Sequence, residues 1–123
     1  MHQQIMVEKR KYTVGLVQMS MGPDPEANFA SAVAHISEAA RRGANIVCLP
    51  ELFGMQYFCQ REDLALFDLA EAIPGPTTEK LGEVARETGV AIVASLFERR
   101  APGLYHNSAV TLGVDGNIAS VYR

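Results

Sequence analysis

Ile46-Val47-Cys48-Leu49 is a short, unbroken apolar run stopped by Pro50 and Glu51. Such a run is expected of a strand covered on both faces of a sheet, and it constrains everything around it. Upstream, Tyr12 to Met19 is β-branched and apolar enough for a buried first strand, which the Met21-Gly22-Pro23-Asp24 cluster breaks. Asp24 is placed to N-cap a helix with Pro25 in its first position, and Phe29, Val33, Ile36 and Ala40 mark one buried face. Arg41 and Arg42 suit the negative end of that helix, and Gly43 suits the left-handed residue that ends it. A strand, a helix and a second buried strand within about 40 residues make a βαβ unit with a right-handed crossover.

Further along, Leu64, Phe67 and Leu69 predict a short helix after a loop over residues 52–61, and Pro74-Gly75-Pro76 restarts the chain. A longer helix follows with Leu81, Val84, Ala85 and Thr88 inward and Gly89 at its end. Val90 to Phe97 is the strongest strand signal and is expected at the sheet's centre. Glu98 to Gly103 reads as a turn into a strand over Tyr105–Leu112, and Val114-Asp115-Gly116-Asn117 as a hairpin into Ile118–Tyr122. The predicted fold class is α/β: a βαβ unit, then helices, then an antiparallel strand meander. Residues 1–11 read as a polar tail and residues 12–123 as one partial domain, since the last strand reaches Arg123 with nothing after it to cover the sheet.

Composition narrows the function classes. A 123-residue chain with 48% hydrophobic and 20% charged residues is an ordinary globular mixture, which excludes disordered and fibrous readings. A net charge of −3 without a Lys/Arg stripe supplies no electrostatic footprint for nucleic acid or an anionic membrane. Apolar runs such as Ala91 to Ala94 fall far short of the roughly 20 residues that span a bilayer. With two cysteines and no secretory signal, free thiols and a cytoplasmic location are expected.

Glu51 is the most suggestive residue, because open α/β sheets gather reactive side chains at the carboxyl ends of their strands. A carboxylate half withdrawn from water there suits a general base, the alternative being a solvated loop glutamate. Cys48, inside an apolar strand, reads as core packing. Cys59 lies in a loop with no helix start or basic cluster to activate it. His2, His35 and His106 lack metal-ligand spacing, so no metal and no cofactor is expected. A Cys59, His106 and Glu51 triad can be drawn, but no spacing favours it. Lys80 reads as a solvated charge, and the turn after the first strand has neither a G-x-G-x-x-G nor a P-loop.

Asn45 to Phe53, with Pro50-Glu51-Leu52-Phe53 at its end, resembles the carbon-nitrogen hydrolase (nitrilase) superfamily. So, in order, do Val14 to Met19, the helix with Asn28, Ile73 to Thr77, Tyr105-His106-Asn107-Ser108-Ala109, Asp115-Gly116 and Val121-Tyr122-Arg123. Within it, Glu51-Leu52-Phe53 and Tyr57 to Asp63 are similar to N-carbamoylputrescine amidases and related carbamoyl-amine hydrolases. The resemblance implies the N-terminal part of an α-β-β-α sandwich and a Glu-Lys-Cys triad that hydrolyses an amide or N-carbamoyl amine. Glu51 takes the glutamate role. The lysine is expected directly after Tyr122-Arg123 and the cysteine later, so Cys48 and Cys59 are not nucleophiles, and residues 1–123 alone are expected to be inactive. The expected partners are a small-molecule substrate and either a second copy or a complementary chain covering the missing half. Two other readings stay open: a non-catalytic assembly module that keeps half of the fold, and an unrelated small α/β binding domain.

Overall fold

The computed structural model describes residues 10–58 and 63–123. Most of the expected tail, with His2, and also Cys59 lie outside the described residues. The elements run β1 (Val14–Leu16), α1 (Pro25–Arg41), β2 (Ile46–Cys48), a 3₁₀ helix (Leu64–Leu69), α2 (Pro76–Thr88), β3 (Ala91–Ala101), β4 (Leu104–Leu112) and β5 (Ile118–Tyr122). The strands form one five-stranded sheet in the order β1-β2-β3-β4-β5, parallel through β3 and antiparallel from there on. The βαβ unit, the central position of β3 and the closing meander are as expected.

The helix ends follow the chemistry of their sequences. Asp24 accepts from the Glu26 N–H at the start of α1, with Pro25 in the first turn. Gly43 and Gly89, at φ +92° and +71°, take the left-handed turns after α1 and α2 that side chains disfavour. Arg41 and Arg42 both bond Glu38 on the exposed side of α1. The buried line of α1 is Asn28, Ala32 and Ile36, with Phe29, Val33 and Ala40 half-buried beside it. The expected apolar stripe is thus rotated toward a polar residue.

Both helices cover the same face of the sheet. Ala32, Ile36, Leu81, Val84 and Ala85 meet Val47, Ile92, Ala94, Leu96, Val110 and Leu112 in one apolar cluster. Because side chains alternate along a strand, the residues between these project from the opposite face. That second face carries Val14, Leu16 and Tyr122, which are 52%, 79% and 78% exposed. Among the described residues the structure is therefore a helix layer on one mixed sheet, with the other side covered at Phe97 and Tyr105 by Phe58 and Phe67 and open over β1 and β5. Cys48 points to this open side, half-buried and free, and is not the core thiol that its apolar strand suggested.

Two further expectations fail: β1 is an exposed edge of the sheet and not a buried strand, because no strand among the described residues lies beyond it and its Val14 and Leu16 face the open side, and one predicted turn is strand. Glu98 to Gly103 is not a turn: β3 continues to Ala101, and only Pro102 and Gly103 separate it from β4. The charges at Glu98, Arg99 and Arg100 look like a loop, but Glu98 is 1% exposed and satisfied by partners from β4 and from Arg123. This longer half of β3 also gains an edge, since Glu71 N–H donates to Phe97 O at 3.0 Å and Arg99 N–H to Glu71 O at 2.7 Å.

A candidate active site at the end of β2

Two different segments flank β3. Its first half is paired by β2, which continues to Leu49, whose N–H donates to Val93 O at 2.9 Å. Its second half is edged by Glu71, and at Ser95 neither neighbour is present. Pro50 has no N–H to extend the ladder, so the chain turns away there and Glu51 and Leu52 form a turn beside Ser95. This is the crevice at the carboxyl ends of parallel strands that α/β sheets use for ligands.

The turn is held from three sides. Leu52 sits at φ +48°, a left-handed conformation uncommon for a side-chain-bearing residue, and the residue is only 2% exposed. Its N–H donates to Ser95 Oγ at 3.0 Å. Behind it, buried Asn28 of α1 donates to both Gly22 O and Gly54 O and accepts from Gly22 N–H, tying the loop before α1 to the turn after Glu51. A left-handed leucine at this place persists because its surroundings leave it no alternative.

Glu51 stands exposed at the tip of this turn, so the expectation of a half-withdrawn carboxylate is corrected: nothing among the described residues roofs it. It is nevertheless held. Asn107 Nδ2 donates to Glu51 Oε1 at 2.6 Å, and Ser95 Oγ donates to Asn107 Oδ1 at 2.9 Å. Ser95 and Asn107 lie on β3 and β4 diagonally across one register step, and both project from the open face. His106, the residue before Asn107 in β4, points to the other side of the sheet, where its Nε2 is buried without a partner among the described residues. The strand pleat therefore removes His106 from any triad with Glu51. No group of metal ligands occurs among the described residues, and no helix among them is long and apolar enough to cross a membrane.

An aromatic group borders the same face. Phe97 lies opposite Asn107 in register and stacks on Tyr105 with ring centroids 5.6 Å apart. Phe67 and Phe58 pack on Phe97 at 5.8 Å and 4.8 Å. The carboxylate thus has an amide donor and an apolar wall on the same strands. Lys80 is remote from this face, with its ammonium 5.6 Å from the Phe29 ring.

A family model described as carbon-nitrogen hydrolase matches residues 13–123. The chain belongs to the carbon-nitrogen hydrolase family. It is 44% identical over 115 residues to a nitrilase of Pyrococcus abyssi, covering 89% of this chain and 42% of that protein. It is 37% identical over 120 residues to an N-carbamoylputrescine amidase of Solanum lycopersicum, covering 96% of this chain and 40% of the relative. The crystal structure of a carbon-nitrogen hydrolase from Helicobacter pylori superposes with a TM-score of 0.86 at 36% identity, covering 91% of this chain and 39% of that one. This chain spans about two-fifths of the length of these carbon-nitrogen hydrolases, and an unrelated small binding domain is excluded.

Sequence reasoning placed Glu51 at its strand end but assigned no role to Ser95 or Asn107. Ser95 left a signal, being the one polar side chain in the run Val90 to Phe97. Asn107 left none beyond its place in a segment typical of the family, because only the pairing of β3 with β4 brings it to Glu51.

Proposed function

We propose that this chain is the base-bearing part of an amidase that hydrolyses an amide or an N-carbamoyl amine. Glu51 is the general base of a Glu-Lys-Cys triad whose lysine and cysteine come from sequence following Arg123. In this reading Glu51 takes the proton of the cysteine thiol, the sulfur attacks the carbonyl carbon, and the lysine holds the developing oxyanion. The amine leaves with a proton, and Glu51 then activates the water that cleaves the thioester. One observation carries the reading: the Glu51 carboxylate is fixed at the carboxyl end of β2 by Asn107 through Oε1, while Oε2 has no partner among the described residues. The aromatic group of Phe97, Tyr105, Phe67 and Phe58 supports a substrate with an alkyl portion. Identity to the tomato amidase favours a carbamoyl amine. A thiol nucleophile fits a reducing compartment, which is why the cytoplasm is the proposed location.

A base without its nucleophile and oxyanion partner gives almost no catalysis, since such groups act as a unit. The 123-residue chain alone is therefore proposed to be inactive. Ammonia release from N-carbamoylputrescine is the test, comparing the chain alone with the chain joined to the remaining three-fifths of the Helicobacter pylori relative. Activity only in the joined protein supports the reading, and equal activity in both contradicts it.

A second reading, a non-catalytic assembly module, is favoured by the open sheet face with Val14, Leu16 and Tyr122. In it the chain retains half of the fold to pair with a second copy or a complementary chain. An inactive joined protein that nevertheless folds would favour this reading.

A further inference from the structure

We infer that Asn107 and Ser95 are positioning residues that fix which oxygen of Glu51 accepts the proton. This rests on the proposed role of Glu51 as base. The hydrogen bonds form a closed circuit: Leu52 N–H to Ser95 Oγ, Ser95 O–H to Asn107 Oδ1, Asn107 N–H to Glu51 Oε1, and the peptide bond from Glu51 back to Leu52.

The direction of every bond in this circuit is forced. An ionised carboxylate only accepts, so Asn107 must present its amide nitrogen to Glu51 and its carbonyl oxygen to Ser95. Ser95 must then give its single proton to Asn107, and its lone pairs face the Leu52 N–H. Reversing the amide would set two acceptors against each other at 2.6 Å. Glu51 Oε1 is thereby committed, and Oε2 is the oxygen left for the thiol and then for water. Because the circuit ends on the residue after Glu51, it fixes the carboxylate and its own backbone turn together. Hydrogen bonds to a charged acceptor are the strong ones, which suits Asn107 as the anchor.

The test has two parts. In the 123-residue chain, nuclear magnetic resonance of the Asn107 side-chain amide should show one proton shifted downfield and slow to exchange. Glu51→Ala, which removes the acceptor, and Ser95→Ala should each return it toward a free amide, while Ser95→Thr, which keeps the hydroxyl, should preserve it. An Asn107 amide already free in the parent chain would overturn the inference without touching the role of Glu51. In the joined protein, Asn107→Ala and Ser95→Ala should lower kcat by 10-fold or more (about 1.4 kcal/mol at the barrier) with KM within twofold, and Ser95→Thr should restore most of it. Unchanged kcat in both alanine variants, with Glu51→Gln inactive, also overturns it. An active Glu51→Gln protein instead overturns the underlying proposal.

Discussion

Arg123, at the end of β5, forms a two-point ion pair with Glu98 of β3, Nε to Oε1 at 2.7 Å and Nη2 to Oε2 at 2.9 Å. Glu98 also accepts from Ser108 Oγ at 2.8 Å, so a nearly buried carboxylate is fully engaged. The pair lies on the helix-covered face of the sheet, and Asn107 holds Glu51 on the other. By strand alternation, a residue continuing β5 past Arg123 would project toward the Glu51 side.

This pair makes stability depend on acid. The Arg123 guanidinium holds the Glu98 carboxyl below its ordinary value of 4.5; burial opposes that shift, and the Ser108 hydrogen bond and nearby His106 reinforce it. A group lowered on folding contributes stability that is present above its unfolded value and lost as pH falls through its folded one. Urea denaturation from pH 7 to pH 3 should therefore show the parent chain losing its advantage over Glu98→Gln below about pH 4.5. Glu38 and Asp115, also lowered by their partners, titrate in both proteins and cancel in the difference. A difference that does not change with pH would contradict this account.

Breaking the pair from its two ends should cost unequal amounts. The Arg123 side chain is 32% exposed and can turn to water, whereas that of Glu98 is 2% exposed and cannot. Arg123→Gln leaves a buried carboxylate with Ser108 alone and should cost about 3 kcal/mol, the low end for stripping a buried charge of its partner. Glu98→Gln at pH 7 should cost clearly less, as read from denaturation midpoints. The reverse order would mean that Glu98 is not effectively buried.

Gly82 separates helix propensity from packing. An added methyl on this α2 residue would lie 2.3 Å from Gly116 O in the β4–β5 turn, where Gly116 itself sits at φ +82°. Alanine is favoured over glycine by about 1 kcal/mol in a helix, yet overpacking of this kind costs about 1–3 kcal/mol. Gly82→Ala should therefore lower the melting temperature, and a rise would show that the turn gives way freely.

The open sheet face should make the 123-residue chain associate. Leu16 pairs with half-buried Cys48, and Cys48 with half-buried Val93, a row of apolar side chains on that side of the kind that drives pairing, with Val14 beside it on β1 and Tyr122 at the far edge on β5. Light scattering should show species larger than a monomer, reduced by Leu16→Lys. A dilute monomer in the parent chain would contradict this.

What the sequence made legible was local. Asp24, Pro25, Gly43 and Gly89 bounded the helices because caps and left-handed turns are decided by neighbouring residues. Ile118–Tyr122 was bounded by its Asp115-Gly116 hairpin in the same way. Glu98 was misread because its neighbours are charged, while the Arg123 that makes it a strand residue is distant in sequence. Glu51 was found from its strand end, but its exposure and its bond to Asn107 depend on the pairing of β3 with β4. Tertiary pairing, and not propensity, decides those positions.

The central claim is that Glu51 is the base of a carbon-nitrogen hydrolase site. It is tested most directly by ammonia release from N-carbamoylputrescine in the protein joining residues 1–123 to the rest of a carbon-nitrogen hydrolase, with and without Glu51→Gln. The account predicts hydrolysis by the parent and a loss of at least about 10³-fold in kcat for Glu51→Gln, with the fold retained. Comparable rates in the two proteins would contradict it.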